Sequence, residues 1–142
     1  MQRIVVGVDG SETAQRALHW AIDEARRREA RLDVIHAWHM PFTGVTPYAP
    51  PPQWDSTVFE DEAKGVLDRA LAAEDTTGVE VHRFVSLGGA AEMLIQASKG
   101  ADLVVVGSRG RGGFTGLLLG SVSQQVVHHA PCPVVVIPVN TE

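Results

Sequence analysis

The chain is expected to fold as an α/β domain: a parallel sheet with helices on both faces. Three observations carry that expectation. Strand-like and helix-like segments alternate from end to end, residues 103–106 and 134–137 are unbroken runs of Leu, Val and Ile, and a glycine-rich stretch follows the first of these runs. Alternating elements require crossover connections, and crossovers give parallel pairing. Strands without polar alternation are buried on both faces.

Arg-Ile-Val-Val-Gly-Val at 3–8 reads as the first strand. Asp9-Gly10 is a turn signal, and Ser11 is placed to cap a helix. Ala14, Ala17, Leu18, Ala21, Ile22 and Ala25 then recur at helical spacing, and Arg26-Arg27-Arg28 put positive charge where a helix C-terminus favours it. Residues 32–38 read as the second strand. Residues 39–55 contain five of the chain's eight prolines and form a long loop of the kind that carries a function or moves. Phe59, Ala63, Val66, Leu67, Ala70 and Leu71 give the buried stripe of a second helix, and 79–85 alternates as a third strand. Ala91, Leu94, Ile95 and Ser98 mark a short third helix. Residues 102–106 are the fourth strand, a helix is expected from about Ser121 to Ala130, and 133–139 is the fifth strand.

A chain of 142 residues suits one domain spanning 1–142 with its own core. The net charge of −5 argues against a general nucleic-acid binder, which needs a basic footprint. One cysteine, Cys132, excludes an internal disulfide and a cysteine-rich metal site. No apolar run approaches the roughly 18 residues of a membrane span, and the N-terminus lacks the apolar core of a signal peptide, so the expected location is the cytoplasm.

Residues 107–121 hold six of the 14 glycines, directly after a strand and before a helix. Glycine lets backbone amides approach a ligand closely, and a helix N-terminus adds unpaired N–H groups and a dipole that favours anions. The expected ligand is therefore a phosphate, and with it a nucleotide. The P-loop pattern is absent, because neither Lys64 nor Lys99 completes Gly-Lys-Ser/Thr. The dinucleotide fingerprint is absent too: Gly110-Arg-Gly112 begins it, but residue 115 is Thr. In doubly wound sheets ligands sit beyond the carboxyl ends of the strands where the strand order reverses. If the first and fourth strands are neighbours, Asp9 and the glycine loop face one cleft.

The spacing actually present is Gly107-x2-Gly110-x9-Gly120-Ser121. It resembles the ATP-binding signature of the universal stress protein family. Ile4–Ser11, His36-Ala37, Ser121-Val122-Ser123 and His129–Val134 are similar to further segments of that family, in order along the whole chain. The resemblance implies a Rossmann-like fold of the adenine-nucleotide alpha hydrolase type, with strand order 3-2-1-4-5. It implies an ATP site, with Mg2+, in which Asp9 lies near the adenosine end and the phosphates and the backbone of Ala37 reads the adenine edge. Gly107 and Gly110 line the ribose and phosphate path, and Gly120, Ser121, Val122 and Ser123 offer amides and hydroxyls to the phosphates. Ala37 stands where the family usually has valine. A homodimer through 133–139 is also implied, in keeping with a short apolar strand at a sheet edge.

The same residue types also suit other roles. Ser121 can serve as a helix cap, Asp9 as the start of a turn, and Arg109 and Arg111 as solvated charges or phosphate ligands. His36, His39, His128 and His129 lack an accompanying Cys/Asp cluster, so no metal site is expected. Trp20, Trp38 and Trp54 are taken as packing residues, with Trp38 near the adenine position. The leading function is a small ATP-binding regulatory domain with at most slow hydrolysis. The alternatives are an ATP hydrolase or nucleotide-transferring enzyme, and a nucleotide-free interaction module of the same fold.

Overall fold

The computed structural model describes residues 2–38, 56–109 and 119–139. Five strands and four helices alternate: β1 (Arg3–Gly7), α1 (Glu12–Arg28), β2 (Arg31–Trp38), α2 (Ser56–Ala72), β3 (Glu80–Leu87), α3 (Ala90–Ser98), β4 (Leu103–Gly107), α4 (Ser121–His129) and β5 (Val134–Ile137). All neighbouring strands pair in parallel, in the order β3-β2-β1-β4-β5. This is the expected fold class and strand order.

Strand alternation divides the core into two layers. Ile4, Val6, Leu32, Val34, Leu103 and Val105 face α1 and α2, where they meet Ala17, Leu18, Ala21, Ile22, Leu67 and Leu71. Val5, Ile35, Val104 and Val106 face the other way, against Leu94 of α3 and Val126 of α4. Right-handed crossovers dictate this split. Connections moving from β1 toward β3 put their helices on one face, and connections moving from β3 back across to β5 put theirs on the other. The change of direction falls between β1 and β4, and their carboxyl ends splay a crevice there.

The expected element boundaries hold to within a few residues, and the shifts have local causes. Val8 leaves β1 but still donates to the Ile35 carbonyl at 2.9 Å. β4 begins at Leu103 rather than Asp102; Asp102 still meets Arg3, its N–H donating to the Arg3 carbonyl and its carboxylate accepting from the Arg3 N–H, both at 2.8 Å. β3 runs on to Leu87, held extended by pairing with β2 through Trp38. β5 is Val134–Ile137, shorter than 133–139. α2 starts at Ser56, ahead of its apolar stripe.

The first helix matches its sequence signals closely. Ser11 Oγ accepts from the Ala14 N–H, and every residue of the apolar stripe is buried. At the other end Glu29 takes the left-handed conformation at φ 53°, which returns its own N–H and that of Ala30 to the last turn. The three arginines beside it do not float. Arg26 binds Asp23 and the carbonyls of Asp75 and Thr77, while Arg27 and Arg28 pair with Glu24.

At the opposite edge of the sheet from the crevice, buried Asp33 accepts from Arg31 (2.7 and 3.2 Å) and from Arg3 (3.1 Å). A buried carboxylate requires such partners, and this one ties β1 to β2 at their amino ends.

Candidate functional site

A cleft of about 830 Å³ opens at the carboxyl ends of β1, β2 and β4. That volume lies in the range of small-molecule sites. Its floor is the ends of the strands, one wall is the start of α4, and the opposite wall is the apolar side of α2 with Phe59, Ala63 and Val66.

β1 hands over to α1 through a tight turn. Asp9 Oδ1 accepts from the Ser11 N–H at 2.8 Å, and Gly10 takes φ 83°, which glycine adopts without strain. The turn therefore uses Asp9 structurally, with the carboxylate still lining the cleft.

Where the glycine loop leaves and rejoins the described fold, it is stapled. The Ser108 N–H donates to the Ile137 carbonyl at 2.8 Å. The Ser108 carbonyl accepts from the Gly120 N–H at 2.6 Å and from Ser123 Oγ at 2.7 Å. Ser123 is buried, so this bond is shielded from water. The loop thus begins and ends at one fixed neck beside β4.

Gly120 caps α4 and has no side chain to offer, so the cap itself gives the first turn no side-chain oxygen. Ser121 is the first helical residue, not the cap. Gln124 is the first α4 amide with a backbone acceptor, the Gly120 carbonyl. The amides of Ser121, Val122 and Ser123 meet no acceptor among the described residues and open on the cleft. Such a turn attracts anions through its N–H groups and its dipole. Gly89 likewise caps α3 without a side-chain bond, and Gly88, Gly89 and Ala90 line the same cleft.

β2 contributes its backbone. Its parallel ladder with β1 runs from the Arg31 N–H on the Gln2 carbonyl to the Val8 N–H on the Ile35 carbonyl. Ala37, two residues further, turns its N–H and C=O toward the same side, where β1 has already ended. Beside it His36 is buried, and its Nδ1 lies 2.8 Å from the Val8 carbonyl oxygen. A carbonyl only accepts, so Nδ1 carries the proton in this bond.

Asp9, Ala37, Gly107, Arg109, Gly120, Ser121, Val122 and Ser123 all line this one cleft. Gly110 and Arg111 lie outside the described residues. Two of these residues have structural duties in the fold. Gly107 makes room for α1, since a Cβ there would stand 2.7 Å from Thr13 Cγ2. The Ser123 hydroxyl proton is spent on the loop neck. Sequence reasoning did not assign the Gly88-Gly89 corner or the α2 wall to the site. The corner was legible in principle, as a glycine pair ending a parallel strand. The wall was not, because a stripe facing a cleft looks the same as one facing a core.

A smaller groove of about 520 Å³ lies between α1 and the end of β5, lined by Gln15, Arg16, Trp20, Glu74 and Ile137. It also takes in Glu12 of the first turn of α1, and its other charged side chains, Arg16, His19 and Glu74, belong to α1 and to the segment after α2. Among the described residues no three His, Cys, Asp or Glu side chains gather as a metal set, and His128 and His129 stand 6.4 Å apart with tilted rings. Burial pushes the Cys132 thiol above its ordinary range, away from the reactive thiolate. No helix among the described residues is long and apolar enough to cross a membrane.

Residues 1–138 match the model of the universal stress protein family. A universal stress protein of Mycolicibacterium smegmatis is 42% identical over 141 residues, covering 94% of this chain and 45% of that protein. The chain therefore spans about half the length of the relatives it matches. Among solved structures, the universal stress protein from Archaeoglobus fulgidus in complex with dAMP superposes with a TM-score of 0.69 at 27% identity, covering 96% of this chain and 98% of that one. A universal stress protein in complex with cAMP gives a TM-score of 0.64 at 26% identity, with 98% of both chains covered.

Proposed function

The chain belongs to the universal stress protein family, and from that premise we propose that its cleft binds ATP as the ligand of a small regulatory domain. One observation carries the reading: the α4 N-terminus, whose first amides meet no acceptor among the described residues, and the ladder-free backbone of Ala37 border the same cleft. The first suits phosphates and the second suits a base edge. Two relatives that share the fold hold adenine mononucleotides, cAMP and dAMP, which supports an adenine nucleotide here.

In this reading the amides of Ser121, Val122 and Ser123 receive the phosphates, with Arg109 at the neck of the loop. Gly107 and Gly110 keep the ribose and phosphate path free of side chains. Trp38 and the apolar α2 wall border the base. Among the described residues, Asp9 and Glu62 are the carboxylates that line the cleft. Hard oxygen donors of this kind suit Mg2+, which binds through phosphate oxygens, one or two carboxylates and water. Neither lysine lines the cleft, so the P-loop arrangement of a lysine on the transferring phosphoryl group is not available here. The domain is read as a binder with at most slow hydrolysis, working in the cytoplasm.

Dimerisation through β5 belongs to the same proposal. β5 is an edge strand, and Pro133 and Ile137 direct their carbonyls to β4. By alternation the N–H and C=O groups of Val134 and Val136 point out along the free edge.

The test is calorimetric titration of nucleotide-free protein with Mg-ATP, comparing wild type with Ser121→Asp. An acidic residue in the first turn favours the helix dipole, so the variant folds, but it repels a phosphate. A loss of affinity of at least about tenfold is expected. Unchanged affinity would remove the phosphates from α4.

A further inference from the structure

Resting on that reading of the cleft, we propose that His36 is a positioning residue that frees the Ala37 peptide to select adenine over other purines. The β1–β2 ladder sets up a specific expectation. Its last rung takes the Val8 N–H to the Ile35 carbonyl, so the next one pairs the Ala37 N–H with the Val8 carbonyl. That rung is not made. The Val8 carbonyl accepts instead from His36 Nδ1 at 2.8 Å, from a buried side chain of the same strand. The imidazole substitutes for the peptide, and the backbone carbonyl stays satisfied.

The consequence is an N–H donor and a C=O acceptor on one residue, side by side and facing the cleft. Adenine presents the complementary pair on its Watson–Crick edge, with N1 accepting and the 6-amino group donating. Guanine and hypoxanthine present the reverse, with N1–H donating and O6 accepting. Set in the same pose, either base brings donor against donor and acceptor against acceptor. Without the His36 bond, the Ala37 N–H closes onto Val8 and the donor is withdrawn.

Amide hydrogen exchange and binding of ATP, ITP and GTP together test this in wild type, His36→Ala and His36→Asn. Asparagine carries an N–H donor close to the Nδ1 position. Wild type is expected to show fast exchange at Ala37 without ligand and to prefer ATP over ITP and GTP. His36→Ala is expected to slow exchange at Ala37 and to lose about fivefold of the ATP preference, as one lost hydrogen bond implies. His36→Asn is expected to restore both. Equal Ala37 exchange and an equal ATP-to-ITP ratio in wild type and His36→Ala would overturn the proposal. If wild type binds no purine nucleotide, the reading of the cleft fails, while the exchange comparison still decides the role of His36. If His36→Ala does not fold, slow exchange at Ala37 in free wild type overturns the proposal, and fast exchange with retained preference in His36→Asn supports it.

Discussion

At Gly107 a Cβ would lie 2.7 Å from Thr13 Cγ2 and 3.2 Å from the Thr13 carbonyl carbon. The side chain could swing away, but the backbone of α1 cannot. Gly107→Ala is therefore expected to lower stability by about 1–3 kcal/mol without any nucleotide present, read as a fall in melting temperature. An unchanged melting temperature would show that α1 is not packed as described. Asp33 makes a second residue-scale case. Asp33→Ala leaves Arg3 and Arg31 without their shared carboxylate, but both guanidiniums reach water. The expected cost is about 1–3 kcal/mol, measured by denaturant unfolding. The sequence marks Gly107 as part of a phosphate path through its spacing. Its packing duty is invisible there, because which helix crosses a strand end is a tertiary fact. Asp33 reads in the sequence only as a polar interruption of a strand.

Among the elements, α1 and α4 were the most legible. The period of the α1 stripe, the Ser11 cap and the terminal arginines each have a local physical cause, and each is realised. The start of α4 was legible from Gly120-Ser121, but the cap falls on glycine, which leaves the first-turn amides without an acceptor among the described residues. What could not be read was where α1 docks. His19 projects from it to place Nδ1 2.7 Å from Glu74 Oε1 after α2, with Asp23 3.6 Å from the other ring nitrogen. The bond to Glu74 raises the imidazole pKa above its ordinary 6.5, against a smaller lowering by burial. A raised folded-state value means the protonated ring stabilises the fold. The contribution is full below the unfolded value and is lost as pH rises through the folded one. His19→Ala is thus expected to cost about 0.5 kcal/mol near pH 5.5, with the difference fading above neutrality. Chemical denaturation across that range measures it, and a difference that grows with pH would contradict the assignment. The loop neck gives a second element-scale expectation: Ser123→Ala removes its buried bond to Ser108, costing about 1 kcal/mol and weakening ATP binding.

For the whole molecule, alternation of elements was enough to give parallel pairing, two helical layers and a cleft at the carboxyl edge. The order β3-β2-β1-β4-β5 needed more than periodicity, because crossover rules alone leave several doubly wound orders open. The family resemblance narrowed them to the observed one. That order makes β5 an edge, and Val136 points its N–H outward from it. Val136→Pro removes that donor while sparing the ladder to β4. Sedimentation is expected to find a dimer for wild type and a monomer for the variant; two monomers would remove β5 as an interface. The central claim is that an adenine nucleotide spans from the Ala37 edge to the α4 N-terminus. Titrating isotope-labelled protein with Mg-ATP, residue by residue in nuclear magnetic resonance, tests it most directly. The account predicts the largest amide shifts at Ala37, Ser121, Val122 and Ser123. Shifts confined to Gln15, Arg16, Trp20 and Ile137 in the α1–β5 groove, or no shifts at all, would contradict it.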